Sequence, residues 1–514
     1  MGKNKQLSIN MFANLINLIA SLAISFFLTP IIIEKLGSES YGFVTLSNNF
    51  VNYISLITVA LNSVSGRFIT IKIHQDDYKS ANVYYNSVLI ANIVLTCILL
   101  IPSIIFIYNL EHVLNITSSL VFEVKILFAL VFLSFFISII GNVYYVATFA
   151  KNRLELAAIR NTILNVLRAV SLIAIFTIFK PSIIWIGLTS LIVSILTVII
   201  NYSFSKKLLP ELKLNIKGFR LYAVKELLSS GCWNTVSQLG QTLLNGLDLL
   251  LTNLFVSPAL MGVLAVSKTV PDVLGSIAGT LVSAFSPSYT ILYAQGKKEE
   301  LLKEIKQSIK IVGLIFGIPL GGWITLGFEF FSLWVPTEDT TLLYKLSLIT
   351  TMGLFINGGV SCIYNIFSVT NKLKVNSISL IISGLLNSLI VLILLKTTDL
   401  GIYAVAGVSV IILILRNLFI SIPYAAKVCL GQKWYFFYGD VLKTIVTTLV
   451  VCLIGFIIKQ IIPVTSWITL VLVAFLITII SLIIEFFFIL NKKEKKIIIQ
   501  LLNKYLNIKR IINK

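Results

Sequence analysis

The sequence predicts an all-α integral membrane protein of about 14 transmembrane helices, built as two six-helix lobes related by a parallel repeat plus two C-terminal helices. Three observations predict it. Of 514 residues, 57% are hydrophobic and only 12% are charged, half the charge of a typical soluble domain. Apolar runs of the roughly 20 residues needed to cross a hydrocarbon core recur along the whole chain. The basic residues sort by loop, as they do in multi-pass proteins.

The runs fall at about 8–33, 41–66, 83–109, 121–148, 156–178, 182–204, 226–254, 258–291, 309–333, 342–369, 375–396, 402–427, 441–461 and 465–490, numbered here as spans 1 to 14. Span 1 follows Lys3 and Lys5 but is longer than a signal-peptide core and lacks a small-x-small cleavage site, so a retained helix is expected. Turn or charge signals separate the spans: Gly37-Ser38, Asp76-Asp77, Lys180-Pro181, Pro258, Lys297 to Glu300, Pro336 and Pro463.

Let side A be the side of the N-terminus. Its loops and tails hold 32 of the 41 Lys and Arg, side B holds 6, and Arg168, Lys268 and Arg416 lie inside spans. The excess of basic loops predicts that side A is cytoplasmic, with both termini there. The net charge of +20 is therefore a topology signal, and nucleic acid is not an expected partner. Trp185, Trp334 and Trp467 fall at side-B span ends, where interfacial aromatics belong.

The chain resembles itself at an offset of 220 residues. Residues 42–75 align without a gap on 262–295 with eight identities, Gly42/Gly262 and Ser63/Ser283 among them. Six spans per repeat is an even number, so both copies enter the membrane in the same sense. The expected division is 1–221 (spans 1–6 and a linker), 222–431 (spans 7–12) and 432–514 (spans 13–14 and a basic tail).

The polar residues inside the spans are patterned. Span 7 carries Asn234, Ser237, Gln238, Gln241, Asn245, Asp248 and Thr252 at spacings that place them on one helix face. Span 1 carries Asn10, Asn14, Asn17, Ser21 and Ser25 at repeat-related positions. Span 2 adds Asn48, Asn49, Asn52 and Asn62, and span 8 adds Ser267, Lys268, Asp272 and Ser276. Lipid satisfies no amide or carboxylate. Such faces meet either a neighbouring helix as hydrogen-bond glue or a water-filled cavity, and stripes of this length favour the cavity. Lys268 is either a functional cation or half of a buried structural pair with Asp248 or Asp272. Arg168 and Arg416 have no acidic residue in their own spans, which favours a functional role. Glu329 and Glu485 lie near span ends, within reach of interfacial water. Gly313, Gly317 and Gly321 form a small-xxx-small ridge for close helix contact.

Several chemistries find no support. There is no Gly-x-x-x-x-Gly-Lys-Ser/Thr loop and no cluster with metal-ligand spacing. Cys97, Cys232, Cys362, Cys429 and Cys452 are scattered, as small packing residues are. The loops are too short for a catalytic domain, so an enzyme is not expected. A membrane polysaccharide polymerase or ligase, the non-transport alternative, would need a large side-B loop.

With these features the chain resembles the multidrug/oligosaccharidyl-lipid/polysaccharide exporter superfamily, and within it the polysaccharide (O-antigen-type) flippase family. The matching stretches are LTPIIIEKLGSESYGFVTLSNNF at 28–50, ALNSVSGRFIT at 60–70 and DLLLTNLFVSPALMGVLAVSKTVPDVLGSIAGTLVSAFSPSYTILYAQGKKEELLKEI at 248–305. The resemblance implies alternating-access transport of undecaprenyl-pyrophosphate-linked oligosaccharide across a bacterial plasma membrane. Polysaccharide polymerase and glycosyltransferases become candidate partners beside the lipid-linked oligosaccharide and the bilayer. In that setting Arg168, Lys268 and Arg416 would hold phosphate, and Asn14, Asn49, Asn52, Gln241 and Asn245 would meet sugar hydroxyls. Arg67 would meet the incoming head group, unless it is a plain positive-inside arginine. No cofactor or metal is expected, and Asp248 or Asp272 is a candidate for coupling to protons or sodium ions. Two relatives compete: cation-coupled drug exporters, which use acidic residues often in the N-lobe, and lipid II flippases, which use arginines in spans 1 and 2.

Overall fold

A computed structural model describes residues 3–489 and residue 495. The basic tail expected beyond the last span lies, apart from Lys495, outside the described residues. Their regular structure is entirely helical, with no strand among the described residues. Twelve helical segments are long and apolar enough to cross a membrane. The first of them, Ile9–His74, is double length and contains spans 1 and 2. Span 7 is too polar to be among the twelve, although it forms a helix from Leu221 to Gln241, a π-helical turn at Thr242–Gly246 and a further helix Asp248–Phe255. Counting the first segment twice and adding span 7 gives the expected fourteen.

The joint between spans 1 and 2 falls where the sequence places it. Helix Lys3–His74 runs on across it, broken by Gly37 at φ 82°, ψ 161°. Nothing lies within 4 Å of where a Gly37 side chain would start. The glycine is therefore required by its left-handed backbone and not by crowding. The next break is made by Asp77, whose carboxylate accepts the Ser80 N–H and so caps span 3 (Tyr78–Tyr108). That bond and nearby Lys72 hold its carboxyl below the usual range. Ser182 caps span 6 (Ile183–Leu208), Asp339 caps span 10 (Thr340–Val369), and Ser466 with Thr469 forms a capping box at span 14 (Trp467–Ile484).

The described residues pack as two compact units. The first contains 1–269 and 373–413, the second 270–372 and 414–514. In the first, span 4 (Val121–Gly141) packs on span 6, span 5 (Leu154–Ile178) packs on span 1, and span 7 packs on span 2 and span 11 (Leu373–Thr397). Two asparagines fasten the linker after span 6: Asn82 and Asn86 each donate to one linker carbonyl and accept one linker N–H. A buried cluster of Leu61, Ile69, Tyr85, Val88, Val146 and Leu227 lies beneath it.

The repeat-related glycines meet inside this unit. A Cβ on Gly42 would lie 2.8 Å from Gly262 Cα, and one on Gly262 would lie 2.2 Å from the Ser38 carbonyl oxygen. Spans 2 and 8 touch backbone to backbone at positions 220 residues apart.

In the second unit, span 9 (Lys298–Trp334) packs on spans 10, 13 (Tyr438–Ile461) and 14. The predicted small-residue ridge is one of its contact faces. Side chains at Gly313, Gly317 and Gly321 would meet Thr444, Thr448 and Val451 of span 13. Glu329, expected near interfacial water, has a protein partner as well. It pairs with Lys459 of span 13, because a lysine at that span's side-B end supplies a nearer counter-charge. Glu485 is also buried, at 5% exposure.

Gly262→Val should force spans 2 and 8 apart at a cost of about 1–3 kcal/mol. Thermal unfolding of the detergent-solubilised protein would read this as a lowered midpoint, whereas an unchanged midpoint would disprove the close contact.

Candidate functional site

The polar stripes divide into residues tied to a neighbouring helix and residues left uncovered. On span 1, Asn10 donates to the Asn152 carbonyl and side chain, Asn17 accepts from Thr162, and Ser21 lies 3.5 Å from the Asn165 amide. Three turns of this stripe are hydrogen-bonded to span 5 or the loop before it. Asn62 on span 2 and the buried Asn92 on span 3 exchange amide hydrogen bonds at 3.0 and 3.1 Å. Asn234 on span 7 donates to Ser63, and Ser237 shares a 2.7 Å hydrogen bond with Ser377 of span 11. These groups are interhelical glue.

A second set has no protein partner. Asn52, Gln238 and Gln241 are exposed, and Asn49 and Asn245 are half-buried. Among the described residues, none of these five amides has a hydrogen-bond partner. Asn14 and Asn48 are exposed as well, and each donates only to a carbonyl of its own helix. Spans 2 and 7 bring the uncovered groups to one level. Tyr53 donates to the Gly246 carbonyl, so the turn bearing Asn49 and Asn52 lies beside the turn bearing Gln241 and Asn245.

Span 7 is irregular at this level. The π-helical turn at Thr242–Gly246 shifts the backbone register within the span, as such bulges do at functional sites. Asn387 of span 11 is fully buried and donates to the Leu244 carbonyl inside the bulge. Just beyond it Asp248, only 2% exposed, accepts from Lys268 Nζ at 2.7 Å. The same ammonium lies 3.5 Å from the Asn245 carbonyl.

No family model matches the chain. The uncharacterized membrane protein EpsK of Bacillus subtilis strain 168 is 28% identical over 499 residues, covering 96% of this chain and 97% of EpsK. The lipid II flippase MurJ, in an inward closed conformation, superposes with a TM-score of 0.64 at 16% identity, over 93% of this chain and 98% of MurJ. An inward-facing MATE-family multidrug transporter of the MOP superfamily gives 0.60 at 16% identity, over 85% and 98%. The chain has the fold of the MOP-superfamily transporters.

Within the MOP fold the three predicted cations have separate settings. Lys268 is held by Asp248. Arg416 is 4% exposed, with its guanidinium 5.7 Å from the Tyr364 ring centre, where Asn417 accepts the Tyr364 hydroxyl. Its span passes through π-helical turns at Asn417–Ser421 and Ala425–Cys429 on either side of Pro423, which cannot supply a backbone N–H. Arg168 lines a cavity with Ser21, Ser25, Thr29, Tyr41 and Asn165. Asp272 and Arg67 are exposed.

Some polar groups escaped the sequence reading. Arg160, counted among the side-A basic residues, lies in the first turns of span 5 and is buried against Asn201 and Asn161. Glu155 is buried too, held by Gln6 and Arg153. Tyr41 and Tyr53 gave no sequence signal beyond sharing a helix with the span 2 asparagines.

Lys268→Met should lower stability by about 3 kcal/mol or more, since it strands a buried carboxylate. Lys268→Met/Asp248→Leu should recover most of that loss in the same unfolding measurement. A double variant no better than the single would show that the pair is not an energetic unit.

Proposed function

We propose that this protein is a flippase that moves lipid-linked (undecaprenyl-pyrophosphate) oligosaccharide precursors across the bacterial plasma membrane by alternating access, for surface polysaccharide biosynthesis. One observation carries the reading: the unpartnered amides of Asn49, Asn52, Gln238, Gln241 and Asn245 on spans 2 and 7. A bilayer offers such amides nothing, so in the membrane they need water or a hydroxyl-rich ligand. Sugar hydroxyls both donate and accept, and carboxamides do the same. The isoprenoid tail needs no polar site and stays in lipid. The MOP fold supports a transporter without covalent chemistry.

In this reading side A is cytoplasmic and the lobes divide near 221 and 431. Asp248 and Asp272 are the carboxylates available for proton or sodium coupling. Polymerase and glycosyltransferases are the proposed functional neighbours, since the cargo must be built before translocation and joined after it.

Replacing Gln241 and Asn245 together by leucine tests the reading in cells whose own gene is deleted. Surface glycan should fall tenfold or more while the protein stays in the membrane and lipid-linked precursor accumulates. Full glycan export would remove the amide surface from the function. Precursor that never accumulates, with export of cationic dyes lost instead, would favour the drug-exporter alternative. Arg67→Gln should reduce export only if Arg67 meets the head group, and unchanged export would leave it a topology determinant.

A further inference from the structure

Arg168 sits in the middle of span 5, where a lone charge is costly in a bilayer. Its Nε is buried, and the guanidinium has no hydrogen-bond or ion-pair partner among the described residues. The other cations inside spans are accounted for: Lys268 by Asp248, Arg416 by Tyr364 and Arg160 by Asn201.

The cavity beside Arg168 is about 260 Å³. That is room for roughly eight waters at 30 Å³ each, below the 300–1,000 Å³ typical of drug-sized ligands. An oligosaccharide does not fit, but one compact charged group does. Ser21, Ser25, Thr29, Tyr41 and Asn165 line it with hydroxyls and an amide, and its lining contains no acidic residue. Ile24, Leu28, Ile32, Leu172 and Ile186 supply the apolar part of its wall, and a low-polarity surround strengthens a charge interaction beside it. A planar guanidinium matches the two oxygens of a phosphoryl or carboxylate group, and hydroxyls complete the donor set.

We infer that the cavity bounded by Arg168, Ser25, Thr29 and Tyr41 is a binding site for a single compact oxyanion, distinct from the amide surface of spans 2 and 7. The anion comes either from the head group of the cargo, which rests on the proposed function, or from free phosphate.

Radiolabelled inorganic phosphate binding to the full-length protein in zwitterionic nanodiscs tests the site. Saturable binding is expected, weakened at least tenfold in Arg168→Gln, partly restored in Arg168→Lys and unchanged in Lys345→Gln. Ser25→Val/Thr29→Val keeps the charge and removes two donors, so it should weaken binding severalfold even if Arg168→Gln fails to fold. Sulfate should compete and chloride at equal concentration should not. Binding equal in wild type, Arg168→Gln and Ser25→Val/Thr29→Val, or displaced equally by chloride, overturns the site. Glycan export in the same variants separates the sources. Lost binding with lost export supports the head group, and lost binding with full export supports free phosphate. Arg168-dependent binding in a protein whose deletion leaves glycan export intact would retain the site and reject the flippase reading.

Discussion

A bilayer supplies no hydrogen-bond partners, so each polar group that a chain carries into it must be answered by protein or by enclosed water. That constraint organises this molecule more than its apolar packing does. Leucine and isoleucine gain nothing by leaving lipid for one another. The specific helix contacts therefore fall to small residues and to polar pairs. Asn62 with Asn92, Asn234 with Ser63, and Asn115 with Asn253 are such pairs. The Gly42–Gly262 contact and the glycine ridge of span 9 are the small-residue counterparts, where backbones approach because no side chain intervenes.

Against this background the exceptions are informative. Among the described residues, five amides on spans 2 and 7 and the Arg168 guanidinium on span 5 have no hydrogen-bond partner, while Asn62, Asn234, Ser237 and Thr162 on the same helices do. The other cations inside spans are restrained differently. Lys268 is neutralised by a carboxylate one helix away, and Arg416 is sealed beneath an aromatic ring. A common role for all three cations is thus not what their surroundings suggest.

The backbone shows the same economy. Irregular turns occur beside polar groups: the π-turn of span 7 lies between Gln241 and Asp248, and the first π-turn of span 12 begins at Asn417, next to Arg416. Each widened turn frees carbonyls that side chains use, as Asn387 does at Leu244. Proline accounts for the irregularity in span 12. Span 7 has no proline at its bulge, and the Asn387 and Tyr53 contacts on Leu244 and Gly246 hold it there.

The sequence by itself determined the helical class, the fourteen spans, their breaks at Gly37, Asp77, Pro336 and Pro463, and the glycine ridge. Those features depend on local hydropathy and backbone preference, which act within about 20 residues. It also located the stripes and narrowed the partners of Lys268 to Asp248 and Asp272, of which the structure shows Asp248 at 2.7 Å. Only the tertiary structure decided which stripe residues are glue and which are uncovered. Asn10 and Asn14 look alike in sequence, yet Asn10 is buried and bonds Asn152, while Asn14 is exposed and donates to a carbonyl of its own helix. The same holds for Glu329, whose partner Lys459 is 130 residues away. The physical reason is that helical periodicity fixes which residues share a face, while the packing of other helices fixes what that face meets.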